Sequence, residues 1–157
     1  MMQAREIDRD TVEDMMRLSV APDQRRFVAP NAVTIAQAHY EPAAWLRGLW
    51  HGTTPVGLIA MIDMRPDHPD AAEEDPDNAA YLWRLMIAAE HQGKGFGGQA
   101  IEIAFAQARH WGRETLCLHV VEADDSPLAF YRRFGLEPTE RIDDGERLLV
   151  GPVRAKA

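Results

Sequence analysis

Four of the eleven glycines in this chain of 157 residues fall within one short segment, Gln92-Gly93-Lys94-Gly95-Phe96-Gly97-Gly98. Glycine lacks a Cβ, so it turns sharply and lets backbone N–H groups come close to a ligand. Where such a segment opens a helix, those donors join the free N–H groups of the first turn and the positive end of the helix dipole. The product is a cradle for phosphate or pyrophosphate. Lys94 adds one compact positive charge beside it. A glycine-rich turn with tight helix–sheet packing and no ligand is the plainer alternative.

Two phosphate-binding patterns are tested by spacing. A nucleotide P-loop needs Gly-x-x-x-x-Gly-Lys followed by Ser or Thr, and Lys94 has neither that spacing nor a hydroxyl residue after it. Gly93, Gly95 and Gly98 do satisfy Gly-x-Gly-x-x-Gly literally. In a dinucleotide fold, however, the first glycine follows its strand almost directly, and here Ala88-Ala89-Glu90-His91-Gln92 intervene. Among the remaining reactive types, six histidines show no His-x-x-x-His pair and there is no cysteine cluster, so no metal site is expected. Cys117, the single cysteine, sits among apolar strand residues that do not favour a thiolate.

The elements that must position these groups alternate along one domain, residues 1–157. Residues 2–7 read as a first strand, and Asp10 or Thr11 caps a helix to about Leu18 with acids at Glu13 and Asp14 in its first turn. Asn31, after Pro30, caps a second helix to about Tyr40. Trp45–His51 and Pro55–Asp63 are strands joined by Gly52-Thr53-Thr54, and Tyr81–Ile87 is a fourth strand. The connection Arg65–Asn78, with three prolines and a run of acids, reads as a long exposed loop. A helix from about Gly95 to Trp111 carries Ile101, Ala104, Phe105 and Ala108 on one stripe, with Gln99, Glu102, Arg109 and Arg113 opposite. Leu116, Leu118 and Val120 alternate with Cys117 and His119 in a fifth strand. Ser126 and Pro127 then start a short helix that Gly135 ends. Leu136–Ile142 and Glu146–Val153 form a closing hairpin around Asp143-Asp144-Gly145. The order β-α-α-β-β-β-α-β-α-β-β predicts an α/β (α+β) fold: a mixed, mostly antiparallel twisted sheet of six to seven strands with helices on both faces.

Seventeen basic against twenty-five acidic residues give a formal charge of −8. That balance argues against nucleic acid and anionic membrane as partners and suits a cationic small molecule. One cysteine, no signal-peptide pattern and no apolar stretch near eighteen residues point to a cytoplasmic protein. The sequence leaves monomer and homodimer both open.

Gln92-x-x-Gly95-x-Gly97, placed after a strand and opening a long amphipathic helix, resembles the Gln/Arg-x-x-Gly-x-Gly/Ala signature of the GNAT superfamily of N-acetyltransferases. Tyr131 within Ala129–Thr139 is similar to that family's short helix and turn before its last hairpin. Gln24-x-x-Phe27-Val28-Ala29-x-Asn31, and Arg84-Leu85-Met86-Ile87 leading into the glycines, resemble bacterial polyamine (spermine/spermidine) acetyltransferases. Two positions depart from the pattern. Asp124 stands seven residues before the tyrosine, where the family commonly has a cofactor-contacting Asn, and Trp83 stands where some polyamine members carry a catalytic Glu.

The resemblance implies an acetyl-CoA-dependent enzyme acting on a primary amine, most specifically spermidine or spermine. It implies acetyl-CoA in a gap between strands four and five, with the pantetheine on the backbone of Met86, Ile87 and Ala88. Gln92, Gly93, Lys94, Gly95, Phe96, Gly97 and Gly98 would hold the pyrophosphate, and Asp124 would lie at the cofactor. Tyr131 would be the general acid for the thiolate; Glu122, or second to it His119, is the candidate base. Gln24, Phe27, Asn31 and Arg84 are the expected acceptor residues. Glu73, Glu74 and Asp75 are candidate carboxylates for a polyamine, whereas Arg84 would instead suit an acceptor's carboxylate. Other open alternatives are an amino-acid, peptide or antibiotic amine as acceptor, and a non-catalytic acyl-CoA sensor.

Overall fold

Alternation along the strands decides which way each face of the sheet is covered. In β5 (Thr115–Val121), Leu116, Leu118 and Val120 join the main core, while Cys117 packs with Ala79 and Leu148 in a separate cluster on the opposite face. The protein, described here for residues 1–155 from a computed structural model, has six further strands. They are β1 (Met2–Arg5), β2 (Ala44–His51), β3 (Thr54–Asp63), β4 (Ala79–Ile87), β6 (Glu137–Asp143) and β7 (Glu146–Pro152). The helices are α1 (Val12–Arg17), α2 (Asn31–Tyr40), α3 (Phe96–His110) and α4 (Leu128–Arg132). Short 3-10 turns at Pro22–Gln24 and Ala89–His91 are additions to the expected order.

The seven strands form one sheet in the order β1-β2-β3-β4-β5-β7-β6, antiparallel except where β4 meets β5. On one face α3 buries Phe96, Ala100, Ile101, Ala104, Phe105 and Ala108, a helical stripe whose three alanines let it lie close to the strands. On the other face Met15 and Leu18 at α1, with Ile35 of α2, pack against Trp50, Leu58 and Met86.

Two irregularities open the sheet. Ala60 pairs with Arg84 and Met61 with Leu82, so Trp83 is an extra residue in β4; such a bulge bends the strand and increases its twist. The parallel pairing of β4 with β5 covers only Ala79, Tyr81 and the residue between them. Past Tyr81 the two strands splay, while β5 stays paired with β7 along its whole length. Strand β4 therefore presents an unpaired backbone edge to a wedge-shaped gap.

Several expected details change. Asn31 is the first residue of α2 and Pro30 takes the cap position. Asn31 is buried, donating from Nδ2 to the carbonyls of Met15 (2.9 Å) and Leu18 (3.4 Å). Helix α3 ends at His110, and Arg113 beyond it grips Asp63 through two hydrogen bonds of 2.6 and 3.2 Å. The β2–β3 turn is the two residues Gly52-Thr53, since His51 pairs with Thr54. Asp144 and Gly145, both at positive φ, make the β6–β7 turn. The acid-rich connection is exposed only in part. His68 is buried in it, with Nε2 3.2 Å from the Pro42 carbonyl and 3.0 Å from Glu41, and Nδ1 accepts the Asp70 N–H.

Candidate active site

The glycine segment divides its labour. Gly93 (φ +77°) and Gly95 (φ +85°) occupy left-handed conformations that side chains rarely adopt, and Gly95 is the cap residue of α3. Gly97 and Gly98 serve packing instead. A Cβ at Gly97 would sit 3.1 Å from the ring of Phe130, and one at Gly98 would meet Phe134 at 3.4 Å. Their absence lets α4 lie against the start of α3. Tight packing thus accounts for half of the motif, and the turn for the other half.

A cavity of about 770 Å³ runs along this segment to the gap beside β4. Gly93, Gly95, Phe96, Gly97 and Gly98 form one end of its wall, and Leu85, Met86 and Ile87 form the other. Gln92 holds the two together: its Nε2 donates to the Ile87 carbonyl (2.9 Å), and its amide pairs reciprocally with Gln24 at 2.9 and 3.1 Å. Gln24, expected on the acceptor side, is therefore part of this wall. Three expectations are corrected. Lys94 is exposed and outside the lining; the guanidinium bordering the cavity is Arg133 of the turn after α4. Ala88 is fully buried and spends its N–H on the Val56 carbonyl (2.9 Å). Asp124 points to solvent, and Asp125 is the acid in the wall, its carboxyl held below the usual range chiefly by a hydrogen bond from Arg26.

These features fit a coenzyme A thioester. Open donors at the start of α3 and Arg133 would hold its pyrophosphate, and the free edge of β4 would pair with the amides of its pantetheine arm.

A second cavity, about 420 Å³, adjoins the first on the α1–α2 face. Phe27, Val28, Leu85 and Tyr131 line both, so they mark the junction. Tyr131 is buried there, and burial alone pushes its phenol up to about 12. Arg25, Arg26 and Arg84 line the second cavity, against one acid, Glu146. Arg84 is half-buried, with burial lowering its pKa. It donates to Gln37 (3.2 Å) and stacks on Trp83 (4.6 Å), with no carboxylate partner among the described residues. A third hollow of about 250 Å³ continues past Tyr81, Trp83 and His119 and carries the carboxylates of Glu41, Asp70 and Asp75.

Two expected roles do not survive the geometry. Glu122 is exposed, ion-paired with Arg147, and lines none of these cavities, so it is not placed to act as a base. Asn31 spends its amide on α1 and likewise lines none of them, so it is a packing residue rather than an acceptor ligand. Glu73 and Glu74 are also absent from the lining, whereas Asp75 borders the third hollow and pairs with Arg141 at 2.8 Å. His119 does line the second cavity. Cys117 is buried, and burial pushes its thiol up to about 12, which keeps it from nucleophilic duty. Sequence reasoning passed over Arg133, Phe130 and Phe134. The four-residue spacing of the two phenylalanines, one on the short helix and one in the turn after it, was the available signal.

Comparison with known proteins agrees with this geometry. A profile of the acetyltransferase (GNAT) family matches residues 9–136. A spermine/spermidine N(1)-acetyltransferase of Bacillus subtilis is 24% identical over 142 residues, covering 87% of this chain and 88% of that protein. An acetyltransferase from Thermus thermophilus superposes with a TM-score of 0.73 at 19% identity, over 96% of each chain. A Bacillus subtilis acetyltransferase solved in complex with CoA gives 0.67 at 15% identity, over 98% of each.

Proposed function

Since the chain belongs to the acetyltransferase (GNAT) family, we propose that it moves the acetyl group of acetyl-CoA to a small primary amine at the junction lined by Tyr131. The observation that carries this reading is the meeting of the two cavities. One has a glycine-lined helix start and an open strand edge, the other is lined by the segment between α1 and α2 and by β4, and Tyr131 borders both. The amine nitrogen attacks the thioester carbon, the C–N bond forms, and the C–S bond breaks. An N–H on the free edge of β4 stabilises the oxyanion that forms between these steps.

A phenol near 12 stays protonated throughout the neutral range. It is a weaker acid than an ordinary thiol at about 8.5, so full transfer to a free thiolate is uphill. What Tyr131 supplies is a hydrogen bond that strengthens as charge gathers on the departing sulfur. Its proton follows as the C–S bond breaks and is replaced by the one the attacking nitrogen sheds on becoming an amide, so the phenol ends protonated.

For the acceptor, the reading is a polyamine. The similarity to the Bacillus subtilis enzyme supports it, as do the carboxylates of Glu41, Asp70 and Asp75 in the hollow beyond the acceptor cavity, beside the aromatic faces of Tyr81 and Trp83. Arg84, with no carboxylate partner among the described residues, favours a second reading, an acceptor bearing a carboxylate. A panel of amines separates them. Spermidine or spermine should lead monoamines, amino acids and aminoglycosides in kcat/KM at low salt. That lead should shrink as salt rises, because exposed charges are screened beyond about 8 Å at physiological ionic strength. If an amino acid or peptide heads the ranking, and Arg84→Gln removes its advantage, the polyamine assignment falls.

A further inference from the structure

An amine acceptor arrives as an ammonium, and nothing yet assigned takes its proton. With a Lys-like pKa of about 10.4, only about one molecule in 2,500 is neutral at pH 7. The expected base, Glu122, faces away from the cavities. A different set of groups reaches the acceptor cavity from three strands. Tyr81 of β4 lines it, and its hydroxyl lies 2.6 Å from Nδ1 of His119 on β5. Nε2 of the same ring lies 2.7 Å from Oδ2 of Asp143 on β6. We propose that Tyr81, His119 and Asp143 form a proton-accepting chain that deprotonates the acceptor ammonium, with Tyr81 the group in contact with substrate and His119 and Asp143 acting through it. The inference rests on the acetyltransferase reading of the site and adds the missing base to it.

The geometry fixes the direction of the chain. Asp143 carries a carboxyl held below the usual range, first by the hydrogen bond from His119 and then by Arg141, so it is an acceptor at neutral pH. Burial raises the Tyr81 phenol, so it stays protonated and is a donor. Only one neutral form of His119 serves both neighbours, with hydrogen on Nε2 and a lone pair on Nδ1. The ammonium gives its proton to the phenol oxygen as the phenol passes its own to Nδ1. The products are a free amine and an imidazolium flanked by a carboxylate. The phenol is never ionised, which suits its burial. After transfer, His119 returns the proton by the same route or to solvent.

The surroundings favour this use. Around the chain lie Cys117 on β5, Arg84 on β4, Arg141 on β6 and Glu146 on β7, with Asp75 held against Arg141. Arg141 braces Asp143 through contacts of 2.9 and 3.2 Å. Arg147, also on β7, is turned to Glu122. Trp83, the bulged residue of β4, helps close the same cavity, so the sheet irregularity that opens the cofactor gap also shapes the wall beside Tyr81.

The test compares two acceptors of one shape, ethylamine, which is an ammonium at neutral pH, and 2,2,2-trifluoroethylamine, which is not. Spermidine serves as a third acceptor for pH profiles. Tyr81→Phe and His119→Gln should each lower kcat/KM for ethylamine and spermidine at pH 7 by about a hundredfold or more. The loss should shrink as pH rises toward the amine's own pKa, and it should be at least about tenfold smaller on trifluoroethylamine, which has no proton to give up before attack. CoA protection against heat checks that each variant is folded. Asp143→Asn, on the more exposed end, is the second line of evidence. Without the carboxylate the imidazolium is less stable, so the acidic limb of the rate profile should move to lower pH while the plateau falls. Equal losses on the charged and uncharged amines would overturn the proposal, as would variants with unchanged rates or a pH profile that Asp143→Asn does not move. A wild-type protein that acetylates none of the three would overturn the underlying acetyltransferase reading instead.

Discussion

Tyr131→Phe should lower kcat by about a hundredfold to ten-thousandfold while leaving CoA affinity unchanged. The ring of Tyr131 is part of the main core, packed beside Phe130, and phenylalanine keeps that packing. Only the hydroxyl is lost, at the point where the two cavities meet. Its partner in the account is the departing sulfur, which carries charge only as the C–S bond breaks. The deletion should therefore appear in the chemical step and not in the binding of either substrate. Pre-steady-state measurement of acetyl transfer isolates that step. A chemical rate equal to wild type would remove Tyr131 from the mechanism.

Gly95→Val should abolish the protection that CoA gives against heat. A ligand at about 100 times its dissociation constant stabilises the folded state by about 2.7 kcal/mol, which for a domain of this size raises Tm by about 5–10 °C. Valine at Gly95 must hold φ near +85° in the cap of α3, and its relief would redirect the N–H groups proposed to hold the pyrophosphate. Gly112→Val is the control. It carries similar strain at φ +75° at the far end of the same helix, away from the cavity, so it should lower Tm yet keep the CoA shift. Protection by NADH and none by CoA would return the site to the dinucleotide alternative that Gly93, Gly95 and Gly98 satisfy literally.

Periodicity made the frame readable. The alternation in β5 and the stripe on α3 place the sheet between its helices, and the glycine segment marks the cofactor end of the site. Long-range pairing was not legible. The splay of β4 from β5 beyond Tyr81 and the extra residue at Trp83 depend on register between strands remote in sequence, which no local pattern encodes. The same blindness set Glu122 ahead of His119 as the candidate base. Glu122 and His119 lie three residues apart on β5 and its end, and only the partners brought by β4, β6 and β7 distinguish them. Arg147 claims Glu122, while Asp143 and Tyr81 bracket His119. Asn31 was misread for a related reason: its side chain satisfies carbonyls of α1, a contact that only the packing of α1 on α2 creates.

Acetyl transfer itself is the most direct test. The wild-type protein, incubated with acetyl-CoA and a mixture of spermidine, ethylamine, an amino acid and an aminoglycoside, is followed by free-thiol release and by the mass of each amine. The account predicts thiol release matched one for one by N-acetylated amine. CoA that binds and protects the protein, with no acetylated product from any amine in the mixture, would contradict it and mark the chain as an acyl-CoA sensor.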